Sequence, residues 1–81
     1  MIQIVLIDDH ELVRTGFRMI LQQQPDMAVC GEAASAEEGM RLIRCLKPEI
    51  ALVDVHMPGM SGIELTERVN RAELATRIVV V

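Results

Sequence analysis

The sequence predicts an α/β fold: an open sheet of parallel strands with helices crossing over on both faces. Three observations carry that expectation. Apolar runs of strand length alternate with stretches of helical periodicity in the order β-α-β-α-β-α-β. Residues 50 to 55, "IALVDV", are apolar toward both faces apart from one aspartate, as a central parallel strand covered by helices must be. Acidic residues stand where the first and third apolar runs end, and ligand sites in such sheets lie beyond the carboxyl ends of the strands.

Each element has its own reason. Residues 2 to 7, "IQIVLI", are β-branched and too few for a helix, which predicts strand 1. From Glu11 to about Gln24, Val13, Phe17, Ile20 and Leu21 share one helical face, with Arg14 and Arg18 off it, which predicts helix 1. Pro25 stops it, because the residue before a proline is pushed out of the α region. Residues 27 to 34, "MAVCGEAA", predict strand 2. Ser35 stands three residues before Glu38, a capping-box spacing, and opens helix 2 with Met40, Ile43 and Leu46 on its apolar face; Pro48 ends it. Strand 3 covers residues 50 to 55. In "HMPGMSG", Pro58 and Gly59 make a turn and Ser61 caps a helix holding Ile63, Leu65, Thr66 and Val69. "RIVVV" is strand 4.

The bulk composition excludes several classes. A chain of 81 residues suits one small domain, and 51% apolar residues with few Gly and Pro mark a folding sequence. Net charge is −4 and the basic residues form no stripe, which argues against nucleic-acid or membrane-surface binding. Cys30 and Cys45 lack metal or redox spacing and read as small buried hydrophobes in a reducing compartment. The six methionines read as core filler, and Glu37, Glu38, Arg41 and Arg44 as a solvated helix face. No apolar run reaches the ~18 to 20 residues of a membrane span and no signal peptide opens the chain, so the expected compartment is the cytoplasm.

The acids carry the chemistry. Strand 1 ends in Asp8 and Asp9, and strand 3 around Asp54. Neighbouring strands lie ~4.7 to 4.9 Å apart, so pairing of strands 1 and 3 makes three carboxylates converge. Two unit charges ~4 Å apart repel by about 4 kcal/mol at an effective dielectric of ~20. With no Lys or Arg in the same local stretches, the group should raise its pKa values or recruit a cation. Mg²⁺ suits it, since that ion uses one or two carboxylates and keeps positions for water and phosphate oxygens. Taken alone, Asp8 with Glu11 favours a helix cap; Asp54, an acid in an apolar strand, shifts the balance to a site.

"VLIDDHELVRTGF", "GEAASAEEG" and "LVDVHMPGMSGIEL" closely resemble the receiver domain of bacterial two-component response regulators, in the NarL/FixJ subgroup and near its GacA-like members. The resemblance covers the whole chain. It implies a flavodoxin-like (CheY-like) doubly wound parallel sheet and a signalling domain that catalyses at most its own phosphorylation and dephosphorylation. It further implies that Asp54 is the phosphoacceptor, with a sensor histidine kinase as donor. Asp9 then matches the direct Mg²⁺ ligand, Asp8 the acid holding metal-bound water, and His56 the position whose backbone carbonyl completes the metal shell.

Family receivers continue past strand 4 with a Ser or Thr, a helix, a fifth strand ending in Lys, and a last helix. The sequence reaches Val81, and its one lysine, Lys47, lies away from the strand ends. The expectation is the N-terminal part of a receiver domain, truncated after strand 4. It would lack the switch residues and a C-terminal helix-turn-helix domain through which alone DNA would be bound. "RIVVV" would then be an apolar edge prone to self-association or domain swapping. Other readings stay open: a Mg²⁺-dependent phosphatase or phosphotransferase of haloacid-dehalogenase type with His56 as acid/base, a transition-metal site using His10 and His56, and an interaction module that needs no phosphorylation.

Overall fold

The computed structural model describes residues 1–55 and 57–81. The elements follow the expected order: β1 (Ile2–Ile7), α1 (Glu11–Gln22), β2 (Met27–Ala33), α2 (Ala36–Leu46), β3 (Ile50–Val53), α3 (Gly62–Arg71) and β4 (Arg77–Val80). The strands form one sheet in the order β2-β1-β3-β4, and every neighbouring pair is parallel. This is the doubly wound arrangement that right-handed crossovers impose on such an alternation. β3 ends at Val53, although the Asp54 N–H still donates to the Ile7 carbonyl at 3.0 Å.

The main core lies between the sheet and the pair α2 and α3. Val5 and Ile7 of β1 and Ala51 and Val53 of β3 pack there with Ile43, Leu65 and Val69. Both helices start as expected: the Ser35 and Ser61 hydroxyls each accept from the backbone N–H three residues on, at 3.2 Å. α2 closes at Lys47, which takes the left-handed conformation (φ 49°, ψ 55°) and donates its N–H to the Ile43 carbonyl.

The structure corrects several expectations. α1 has no fully buried residue; Val13 and Ile20 of the predicted apolar face are 41% and 61% exposed, because α1 leans on β1 and β2 while the core is made by the other two helices. Leu46 and Ile63 are exposed as well. Met40, Met57 and Met60 fill the core, but Met1 and Met19 are exposed, so the methionines do not all serve as filler. Cys45 is exposed and Cys30 partly buried, both as free thiols. The β1–β2 register shifts between Ile4 and Val5, leaving Cys30 as an extra residue in β2 where Gly31 passes under Leu46 and Leu42.

Candidate functional site

β1 and β3 run side by side with Ile7 opposite Val53, so the residues that follow, Asp8 and Asp54, leave the sheet next to each other. The chain turns from β1 toward β2 on one side, while β3 continues to β4 on the other, which opens a crevice at this boundary. Asp8 is only 8% exposed, whereas Asp9 stands at the surface.

His10 gathers the three acids. Its Nδ1 lies 3.0 Å from Asp8 Oδ1, 3.0 Å from Asp9 Oδ1 and 3.7 Å from Asp54 Oδ2. Asp8 Oδ1 also accepts the His10 backbone N–H at 2.8 Å. Asp8 is therefore not the cap of α1: that position belongs to His10, with no side-chain capping bond. The hydrogen bond to Asp8, then the charge of Asp9, push the His10 pKa above its ordinary 6.5 and outweigh desolvation. One potential ligand atom from each of Asp8, Asp9, His10 and Asp54 fits within a mutual spacing of 4.8 Å.

A cavity of about 400 Å³ opens beside Asp8, His10 and Asp54, bordered also by Val13, Phe17 and Val81. On the far side α3 begins hard against Asp54: a Cβ on Gly62 would lie 3.1 Å from the Asp54 carbonyl oxygen. Three carboxylates with room for waters and phosphate oxygens fit a hard, oxygen-preferring cation such as Mg²⁺. His56, whose backbone carbonyl was expected to share in the site, lies outside the described residues, and so does any acid/base or metal role for it.

A cation does reach the acid turn. Arg14 Nη1 donates to the backbone carbonyl of Asp8 at 2.5 Å, and its Nε lies 3.4 Å from Glu32 Oε1. Arg18 Nη1 meets Glu32 Oε2 at 2.5 Å. The expectation that no Arg stands near the acids considered neighbours in sequence; Arg14 arrives through helical geometry, one turn beyond His10. That spacing is the signal that could have found it. Glu32 had no such signal, since it comes from β2, opposite Leu6.

An open parallel sheet with three carboxylates gathered at its switch point defines an α/β domain of the doubly wound class. The chain belongs to the response regulator receiver domain family of two-component systems, whose model matches residues 4–81. It is 46% identical over 80 residues to the transcriptional regulatory protein LiaR of Bacillus subtilis, covering 99% of this chain and 38% of that protein. It is 43% identical over 77 residues to the nitrate/nitrite response regulator NarL of Escherichia coli, covering 95% of this chain and 36% of that protein. The signal receiver domain of the NarL response regulator from Mycobacterium tuberculosis superposes with a TM-score of 0.94 at 35% identity, over 98% of this chain and 64% of that one. The chain thus spans little more than a third of the two curated relatives' length. Among the described residues, no helix is long and apolar enough to cross a membrane.

Proposed function

We propose that this chain is the phospho-accepting part of a response regulator, with Asp54 as acceptor, Asp8 and Asp9 as the other acids of a Mg²⁺ pocket, and His56 contributing its backbone carbonyl. The observation that carries the reading is the convergence of Asp8, Asp9 and Asp54 from the ends of β1 and β3 onto one spot. Mg²⁺ would supply neutralisation of charge on the oxygens of the transferring group. An Asp54 carboxylate oxygen attacks phosphorus, the P–N bond to a kinase phosphohistidine breaks, and the imidazole keeps the electron pair and takes a proton from solvent. The partly buried backbone around Asp54, tied to Ile7 and backed by Gly62, keeps that carboxylate at the mouth of the cavity.

On this reading residues 1–81 are the N-terminal part of a cytoplasmic receiver, and the partner is a sensor histidine kinase. Output would pass to a DNA-binding segment outside these residues; the name of the longer relative LiaR, a transcriptional regulatory protein, is in keeping with a transcription-regulating output. The haloacid-dehalogenase alternative has no support from the family to which the chain belongs.

Amide NMR during Mg²⁺ titration tests the pocket. Shifts confined to Asp8, Asp9, Asp54 and their neighbours, abolished by Asp9→Ala, are expected; well-dispersed spectra that ignore Mg²⁺ would reject it. Mass spectrometry after exposure to an acyl phosphate should then show one added phosphoryl group, lost in Asp54→Asn.

A further inference from the structure

The geometry points to Arg14 as a positioning residue of the acid pocket, braced by Glu32 and acting through the Asp8 backbone. The inference rests on the Mg²⁺ reading above and extends it to two residues outside the proposed ligand set.

Besides the contact of the His10 Nδ1 with Asp8 Oδ1 at 3.0 Å, three bonds among the described residues hold Asp8. Its N–H donates to the Ala33 carbonyl at 3.1 Å, continuing the sheet, and its Oδ1 takes the His10 N–H at 2.8 Å within the same turn. The third comes from α1: Arg14 Nη1 to the Asp8 carbonyl. A guanidinium is a rigid planar fork, so fixing one edge fixes the other. Here Glu32, from β2, stands behind Nε at 3.4 Å. Glu32, Arg14 and the Asp8 carbonyl thus form a strut running from the edge strand through the helix to the turn that carries Asp8 and Asp9.

Stability alone is a weak reason for this arrangement. The Arg14 side chain is only 16% exposed, and its Nε is buried and makes no hydrogen bond among the described residues. Burying a charge with a donor left unmet is costly, and apolar replacements often serve a fold as well. Orientation of metal-binding groups by partners behind them is, by contrast, a general requirement of such sites.

The sign of the effect separates a strut from a mere charge. As a positive charge near the acids, Arg14 would oppose cation binding, so its removal would tighten Mg²⁺. As a strut, its removal frees the Asp8–Asp9 turn and weakens Mg²⁺. Arg14→Lys keeps the charge and loses the fork. Arg18→Gln removes the other partner of Glu32 and leaves the Arg14 bond to Asp8 in place.

The test is Mg²⁺ affinity by amide NMR for the wild-type chain, Arg14→Met, Arg14→Lys and Arg18→Gln, with urea unfolding of each without Mg²⁺. Both Arg14 variants should lose about tenfold or more in affinity, the range seen when partners behind a metal ligand are removed, while Arg18→Gln binds as wild type. Folded Arg14 variants that bind Mg²⁺ as tightly as wild type, or more tightly, would overturn the inference alone. So would an equal loss in Arg18→Gln. If Arg14→Met does not fold, Arg14→Lys and Glu32→Gln decide by the same criterion. A wild-type chain that ignores Mg²⁺ would remove the pocket reading and this inference with it.

Discussion

A Cβ on Gly39 of α2 would lie 2.4 Å from the Cδ1 of Ile7 and 2.8 Å from its Cγ1, so the helix rests on β1 through a position where an added side chain would force Ile7 to shift. Ile7 is fully buried and β-branched, which leaves it little freedom to move aside. Gly39→Ala should therefore destabilise: overpacking costs about 1–3 kcal/mol, against a helix-propensity gain of about 1 kcal/mol. Urea unfolding of Gly39→Ala, Ile7→Val and the double variant should show less loss in the pair than the sum of the singles.

Gly16 gives the opposite result. It lies inside α1, and a Cβ there would meet nothing within 4 Å. Gly16→Ala should stabilise by about 0.5–1 kcal/mol, the backbone-entropy cost of glycine in a helix. An unchanged or lower urea midpoint would show that α1 gains nothing from stiffening.

Lys47 and Glu73 both sit at positive φ, 49° and 56°, and both side chains are exposed. A non-glycine residue in the left-handed region costs about 1–2 kcal/mol. Glycine relieves that and gives back part as unfolded-chain entropy. Lys47→Gly, at the helix end where glycine is favoured, should raise stability by about 0.5–1 kcal/mol, and Glu73→Gly by a similar amount. Thermal melts of the two singles and the pair check both size and additivity.

The parts of this molecule that were legible in its sequence are those that depend on local pattern. Strand-length runs, the Ser35 and Ser61 caps and the acids at strand ends could all be read directly, and they yield the element order and the convergence of Asp8, Asp9 and Asp54. What stayed hidden depends on neighbours distant in the chain. The extra residue at Cys30 arises from how β2 is laid against β1 and passes beneath α2. Periodicity showed which face of α1 is apolar and could not show how little of it is covered. The Glu32–Arg14–Asp8 chain of contacts joins β2, α1 and the turn after β1, which no single window contains.

Among the described residues β4 pairs with β3 alone, and Val79, Val80 and Val81 are 42%, 39% and 54% exposed. An edge strand with apolar side chains and no partner on its outer side is a template for pairing with another chain. Sedimentation velocity should show species larger than the monomer that grow with concentration, and Val80→Lys should shift the distribution toward monomer. A monodisperse monomer at high concentration would count against self-association.

His10 offers a reading of the pocket without any phosphoryl chemistry. Its pKa is raised above 6.5, first by the hydrogen bond to Asp8 and next by the charge of Asp9. A folded-state value above the unfolded one means that the fold favours the protonated ring. That contribution to stability is complete below about pH 6.5 and fades as pH rises through the higher folded-state value. Urea midpoints should therefore fall over that interval in wild type, and His10→Ala should remove this part of the pH dependence. In NMR titrations Asp9→Asn should bring the His10 pKa down, since it deletes the second of the two leading causes. Mg²⁺ should act in the same direction, because a dication on the same carboxylates cancels the field that holds the proton on the imidazole. A His10 pKa that ignores both the substitution and Mg²⁺ would mean that ring and acids do not share one pocket in solution.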